Sequence, residues 1–323
     1  MSKKLGLVLG SGAARGWAHV GVLRGLEEIG VKPDIIAGCS VGALVGGAYL
    51  LGALDEFEAW ARELKPLSAL RSFAFSVSHG GLVNAAPAFK AFAEFDRKIE
   101  ALDVKFGAVA ADLGTGEEVW ITEGSVVEAA RASSAIPVIF HAVRRQGRWL
   151  VDGAVANPAP VSLARSLGAD IVLSVDLNAV PRVLDRFNPP PPLAAEETPP
   201  IPEAAPEDDG RGAGELAPQG VGATMTRLIA DTRRLVEQQM ETAKARALSR
   251  PQLFETAYAA ADIFQMHLAR AHAEVFPPDI QIHPDMRDAL PTAFDRADEF
   301  IAEGKRALFE KRAEIEALLA RQG

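Results

Sequence analysis

A single cysteine, Cys39, stands in a chain of 323 residues. With no second thiol to pair with, an internal disulfide framework is out of reach, and a reducing, cytoplasmic setting is expected. Basic charge is also in short supply: 34 lysines and arginines face 43 aspartates and glutamates, for a net charge of −9. No basic patch interleaved with aromatics occurs, which argues against a general nucleic-acid binder. Lys3-Lys4 followed by Leu5 to Leu9 has the order of a secretory leader, but the apolar core is too short for one. No internal repeat stands out.

Charge is missing altogether between Asp34 and Asp55. That span is long enough to cross a bilayer, and Gly42 and Gly46 form a Gly-x-x-x-Gly pair. Glycines 38, 42, 46, 47 and 52 interrupt it, however, and a buried strand, turn and helix accounts for their positions better. Ile35-Ile36-Ala37 reads as a short strand, and 43–50 as a small-residue helix. Between them lies Gly38-Cys39-Ser40-Val41-Gly42, a Gly-x-Ser-x-Gly pattern in the strand-to-helix setting of a nucleophile elbow. The turn is so sharp that the positions two before and two after the serine must be nearly free of side chain. Cys39 itself reads as a small buried filler.

Two further sites share this chemistry. After the apolar run Leu5 to Leu9 comes Gly10-Ser11-Gly12-Ala13-Ala14-Arg15-Gly16, leading into a helix expected over 19–29. Such a loop turns several unpaired backbone N–H groups in one direction, a site for a phosphate or for the oxyanion of ester cleavage. The second is Asp152-Gly153-Ala154 after the strand-like Trp149 to Val151, where two tiny residues let an aspartate approach another part of the chain closely.

In this order the three sites resemble the patatin-like phospholipase family, most nearly its bacterial members related to the catalytic domain of neuropathy target esterase. The likeness covers 4–177 and resumes from 252, where Pro278 to Pro284 and Phe294-Asp295-Arg296-Ala297 look family-like. The resemblance implies an α/β, three-layer sandwich with a mainly parallel central sheet and helices on both faces. It also implies a Ser–Asp dyad, with Ser40 the nucleophile and Asp152 the proton acceptor, its pKa raised by partial burial. Backbone amides of Gly10, Ser11, Gly12 and Ala13 would form the oxyanion hole, with Arg15 and Gly16 supporting the loop or an anionic head group. Family versions richest in glycine carry consecutive glycines where this chain has Ser11, Gly12 and Ala13. The expected activity is hydrolysis of fatty-acyl esters of phospholipids or lysophospholipids, with no metal or cofactor. A carboxylesterase for small or neutral lipid esters, or a lipid-responsive regulator with a vestigial site, is the alternative.

Two rival readings stand beside the dyad. A Ser-Asp-His order could formally be completed by His267 or His283, and His19 follows the glycine loop, but no local motif supports a triad; His141 reads as the end of a strand before a basic stretch, and His79 and His272 have no motif around them. Gly10-x-Gly12 has the setting of a dinucleotide turn, yet Arg15 stands where the third glycine belongs, and Asp34 precedes its strand instead of ending it.

Strands are expected over 106–111, 118–121, 149–151 and 170–175, and helices over 125–133, 161–167, 254–272 and 293–320. The organisation expected is a first catalytic part at 1–180, an insertion at 181–251 and the rest of the same catalytic domain at 252–323. Within the insertion, 189–218 is rich in proline and acids, with Glu196, Glu197, Glu203, Glu207, Asp208, Asp209 and Glu215 opposed only by Arg211. Disorder is expected there. Residues 225–248 have an apolar helical face and a basic remainder, suited either to peripheral contact with anionic lipid on the inner membrane face or to packing on the domain or on a second subunit of a homodimer.

Overall fold

The computed structural model describes residues 3–64, 94–137, 140–178, 253–286, 289 and 293–320. The proline- and acid-rich stretch, the amphipathic helix expected over 225–248 and His79 lie outside the described residues. The chain divides into two compact units, Met1–Leu184 with Ala260–Gly323, and Asp185–Ala259. The first holds every element below except the opening turns of one helix.

Short aliphatic runs form the strands. β1 (Leu5–Leu9), β2 (Ile35–Cys39) and β7 (Ile171–Val175) are buried at every residue, as parallel strands covered on both faces must be. With β3 (Lys105–Asp112), β4 (Glu118–Ile121), β5 (Val143–Arg145), β6 (Arg148–Asp152) and β8 (Ile280–Ile282) they build one sheet among the described residues. Its order is β5-β6-β3-β2-β1-β7-β8, with β4 also paired to β3. The run from β3 to β8 is parallel, whereas β4, β5 and β6 run antiparallel to their neighbours.

Alternation along the strands gives each face its own core. Leu7, Leu9, Phe106 and Leu173 face the larger one, which takes in α1 (Trp17–Glu28), α2 (Val41–Leu50), α3 (Leu54–Glu63), α4 (Val126–Ser133) and α7 (Ala297–Glu310). On the opposite face α5 (Val161–Ser166) sits on Val8, Ile35, Ala37, Val109 and Val172. The fold is thus an α/β sandwich with helices on both faces of a mainly parallel sheet. Two helices remain, α6 (Leu253–Val275) and α8 (Arg312–Ala320). The single helix expected over 293–320 is in fact α7 and α8, parted at Lys311, whose N–H turns back to Leu308 in a tightened last turn.

The charge-free span from 35 to 54 is strand, turn and helix, and no helix among the described residues is long and apolar enough to cross a membrane. Trp17, in the first turn of α1, meets Phe57, Trp60 and Phe294 edge-on, with ring centroids 5.4, 5.7 and 6.1 Å away. Each such pair adds about 0.5–1.5 kcal/mol beyond buried area. The helix entry that follows the glycine loop is therefore held firmly.

Candidate active site

One residue separates β2 from α2, and it is Ser40. Its backbone sits at φ 55 and ψ −123, a region a residue with a Cβ enters at a cost of about 1–3 kcal/mol. The surroundings leave it little choice. A Cβ on Gly42 would lie 2.0 Å from the Leu9 carbonyl oxygen, and one on Gly38 would lie 2.4 Å from the Ala43 Cα. Neither position has room for a side chain.

Asp152 reaches the serine through the register of β3. β2 ends where Cys39 pairs with Val109, and the next residue of β3, Ala110, pairs with Asp152 at the end of β6. One strand therefore sets the ends of β2 and β6 head to head. The Ser40 hydroxyl donates to Asp152 Oδ2 at 2.6 Å, while Oδ1 accepts from the Ala154 N–H at 2.8 Å. The turn that follows is tight as well: a Cβ on Gly153 would stand 2.2 Å from the Val109 carbonyl oxygen. Both partners are buried, Ser40 at 4% exposure and Asp152 at 3%. Loss of water raises the Asp152 pKa to about 6, with the bonds from Ser40 and Ala154 pulling the other way.

The glycine loop lies against the elbow, since a Cβ on Gly42 would also come within 2.7 Å of the Gly10 carbonyl oxygen, and one on Gly16 within 2.2 Å of the Val41 side chain. Of the four amides expected to line an oxyanion hole, two are committed elsewhere. The Gly10 N–H donates to Val175, one residue beyond the β1–β7 register, and the Ser11 N–H donates to the carbonyl of Pro158 in the loop before α5. That leaves Gly12 and Ala13 as the two of the four whose amides have no backbone acceptor among the described residues. Ala13 holds φ 50, a left-handed value that glycine reaches freely and alanine at a cost of about 1–2 kcal/mol.

Arg15 is buried at 4% and spends its guanidinium on the protein. It donates to the carbonyls of Gly12 and Leu177, to Asn178 Oδ1 at 3.0 Å and to Asp262 of α6 at 3.0 Å. Of its two expected roles, bracing the loop is the one its contacts serve. Asn178 closes the brace by donating to the Ser11 carbonyl, and the Ser11 hydroxyl donates to Gln265 at 2.7 Å. Sequence reasoning missed Asn178, Asp262 and Gln265, which lie up to 254 positions from their partners and carry no local motif. It also missed Ser133 and Ser134, whose hydroxyls hold the backbone of Ser40.

No described histidine bonds to the pair. His19 is fully buried, with Nε2 2.7 Å from the Gly10 carbonyl oxygen, so that nitrogen carries the proton. Burial lowers its pKa to about 4, which keeps it neutral. His283 contacts Gln281 and the Asp176 carbonyl, and His267 is on the exposed side of α6. Burial pushes the Cys39 thiol well above its ordinary value, which leaves it protonated and inert. Among the described residues no group of three or more His, Cys, Asp or Glu side chains could hold a metal ion.

A strand-turn-helix serine bonded to a buried aspartate, beside a glycine loop, defines a class. Residues 7–165 match the family model for patatin-like phospholipase, and the chain carries a domain of that family. Relatives it matches include NTE family proteins and NTE lysophospholipases. An uncharacterized NTE family protein of Mycobacterium tuberculosis is 40% identical over 179 residues, covering 55% of this chain and 50% of that one. Lysophospholipase nte1 of Emericella nidulans is 29% identical and lysophospholipase NTE1 of Coccidioides immitis 31% identical, each over 55% of this chain and 12% of the other. The matched region thus spans half the length of the mycobacterial relative and a small part of the fungal ones. The crystal structure of VipD from Legionella pneumophila aligns with a TM-score of 0.41 at 10% identity, over 99% of this chain and 67% of that one.

Proposed function

We propose that this protein is a serine acyl hydrolase that cleaves fatty-acyl esters of phospholipids or lysophospholipids. The observation that carries the reading is the 2.6 Å bond between two buried side chains, a hydroxyl and a carboxylate whose pKa is raised to about 6. Ser40 Oγ attacks the ester carbonyl carbon as its proton passes to Asp152 Oδ2. The free amides of Gly12 and Ala13 receive the charge that develops on the carbonyl oxygen; one such donor is worth about 2.7–4 kcal/mol of barrier. The bond to the alcohol breaks, and Asp152 returns the proton to the leaving oxygen. Water then attacks the acyl-enzyme, giving its proton to Asp152, and the fatty acid departs as Ser40 is reprotonated. A raised pKa suits the aspartate to both halves of this exchange, since it takes and releases a proton near neutral pH. The names of the fungal relatives favour the lysophospholipid within this class.

The test is hydrolysis of phosphatidylcholine, lysophosphatidylcholine and p-nitrophenyl butyrate by the wild type and by Ser40→Ala, Asp152→Asn and His19→Ala. The first two variants should lose about 10³-fold or more in kcat, and a fluorophosphonate should label wild type but not Ser40→Ala. His19→Ala should keep more than about a tenth of the activity, because it removes one brace of the loop and no reacting group. Folded Asp152→Asn enzyme with near-wild-type turnover would refute the dyad. Turnover confined to the butyrate ester would move the substrate assignment to small esters.

A further inference from the structure

We propose that Ser133 and Ser134 are positioning residues of the reaction, a pair of adjacent hydroxyls that fixes the backbone of Ser40 on both sides. This rests on the dyad reading above. The Ser40 N–H donates to Ser133 Oγ at 2.8 Å, and Ser134 Oγ donates to the Ser40 carbonyl at 2.9 Å. The next residue does the same for the other partner: the Ala135 carbonyl accepts from the Asp152 N–H at 2.9 Å. Three consecutive residues at the end of α4 thus grip the nucleophile twice and the base once.

The need for the grip follows from the sheet. The ladder between β2 and β3 ends at Cys39, because β6 takes the place beside β3 from Ala110 onward. The Ser40 N–H is thereby cut off from a strand partner inside a buried site, where an unpaired donor is costly. Ser133, itself at 0% exposure, supplies the missing acceptor. The Ser40 carbonyl starts α2 by accepting from the N–H groups of Ala43 and Leu44, and Ser134 holds the same oxygen from outside the helix. With φ at 55, Ser40 keeps its conformation only while both flanking peptide groups are pinned. Rotation of either would swing Oγ away from Asp152. The same bond keeps the Ser40 amide out of the oxyanion hole, which leaves that task to the glycine loop.

The measurement is kcat, KM and the rate of fluorophosphonate labelling for Ser133→Ala, Ser134→Ala and Ser134→Thr in the full-length protein, with thermal melting as the control for folding. Each alanine variant should lower kcat and the labelling rate about 10- to 100-fold, with KM within about twofold, because the serine is displaced while the acyl and head-group contacts stay. Ser134→Thr, which keeps the hydroxyl, should restore most of the loss. Where an alanine variant melts below the assay temperature, Ser133→Cys and Ser134→Cys decide, since they hold the volume and weaken the hydrogen bond; they should fall between wild type and inactive. Folded alanine or cysteine variants with wild-type kcat and labelling rate overturn the proposal, as does a threonine variant no better than alanine. Activity retained by Ser40→Ala would instead refute the dyad reading itself, so the two failures are distinguishable.

Discussion

At the Asp152 carboxyl the proposed catalysis and the stability of the fold pull against each other. Its ordinary pKa is 3.8, and burial raises it to about 6 in the folded protein. Between these values the folded form holds the proton and the unfolded chain has released it. The contribution of this group to stability is therefore complete below about pH 4 and is lost as pH rises through 6, a change on the order of 3 kcal/mol. The proposed mechanism has the opposite sign, because in it only the ionised carboxylate can take the Ser40 proton. kcat/KM should accordingly rise with pH along a limb of apparent pKa about 6. Urea unfolding of wild type and Asp152→Asn at pH 4 and pH 7.5 checks the first statement: the asparagine variant should gain on wild type as pH rises. A pH–rate profile checks the second, and a flat profile from pH 5 to 7 would count against Asp152 as the base. At this scale the sequence named the serine, the aspartate and the arginine. It could not name Ser133, Ser134 or Asn178, because a serine or asparagine becomes a brace only when distant chain arrives beside it.

Among the elements, the pairing of α1 with α7 is the most demanding. Gly21 and Gly304 let the two backbones touch: a Cβ on Gly21 would stand 1.9 Å from the Ile301 carbonyl oxygen, and one on Gly304 1.9 Å from that of Ala18. Alanine for glycine inside a helix ordinarily gains about 1 kcal/mol. Here Gly304→Ala should instead cost about 1–3 kcal/mol or more, since neither backbone can yield without parting the helices. Denaturant unfolding measures it. The strands of the central sheet were legible because buried parallel strands are unbroken aliphatic runs, as in Ile35–Cys39 and Ile171–Val175. The three-residue strands β5 and β8 were not, since runs as short as Val143–Arg145 and Ile280–Ile282 owe their form to the neighbour they pair with. The break at Lys311 was equally silent, because helix-forming residues run on through it.

For the molecule as a whole, the unit that holds the candidate site is assembled from two stretches, Met1–Leu184 and Ala260–Gly323, on either side of Asp185–Ala259. Ser40, Asp152, the glycine loop and its braces Asn178, Asp262 and Gln265 all belong to the first unit. Replacing 189–251 with a short Gly/Ser linker should therefore preserve most of the hydrolysis of p-nitrophenyl butyrate. The same deletion removes Arg227, Arg233, Arg234, Lys244, Arg246 and Arg250 from a chain of net charge −9. Binding to anionic liposomes should fall with it, and unchanged flotation with such vesicles would reject a lipid-facing role for that segment.

Local chemistry alone determined which residues could react and what turn each occupies: a serine between two obligatory glycines, an aspartate before two tiny residues, a glycine-rich loop after a strand. These are short-range facts, set by sterics within a few residues. The meeting of Ser40 with Asp152, 112 positions apart, was decided by β3, which pairs with β2 up to Val109 and with β6 from Ala110 onward. So was the choice of amides left free in the loop, because Val175 and Pro158 claim the first two. Register and backbone satisfaction are properties of the assembled sheet, and no stretch of the chain carries them by itself.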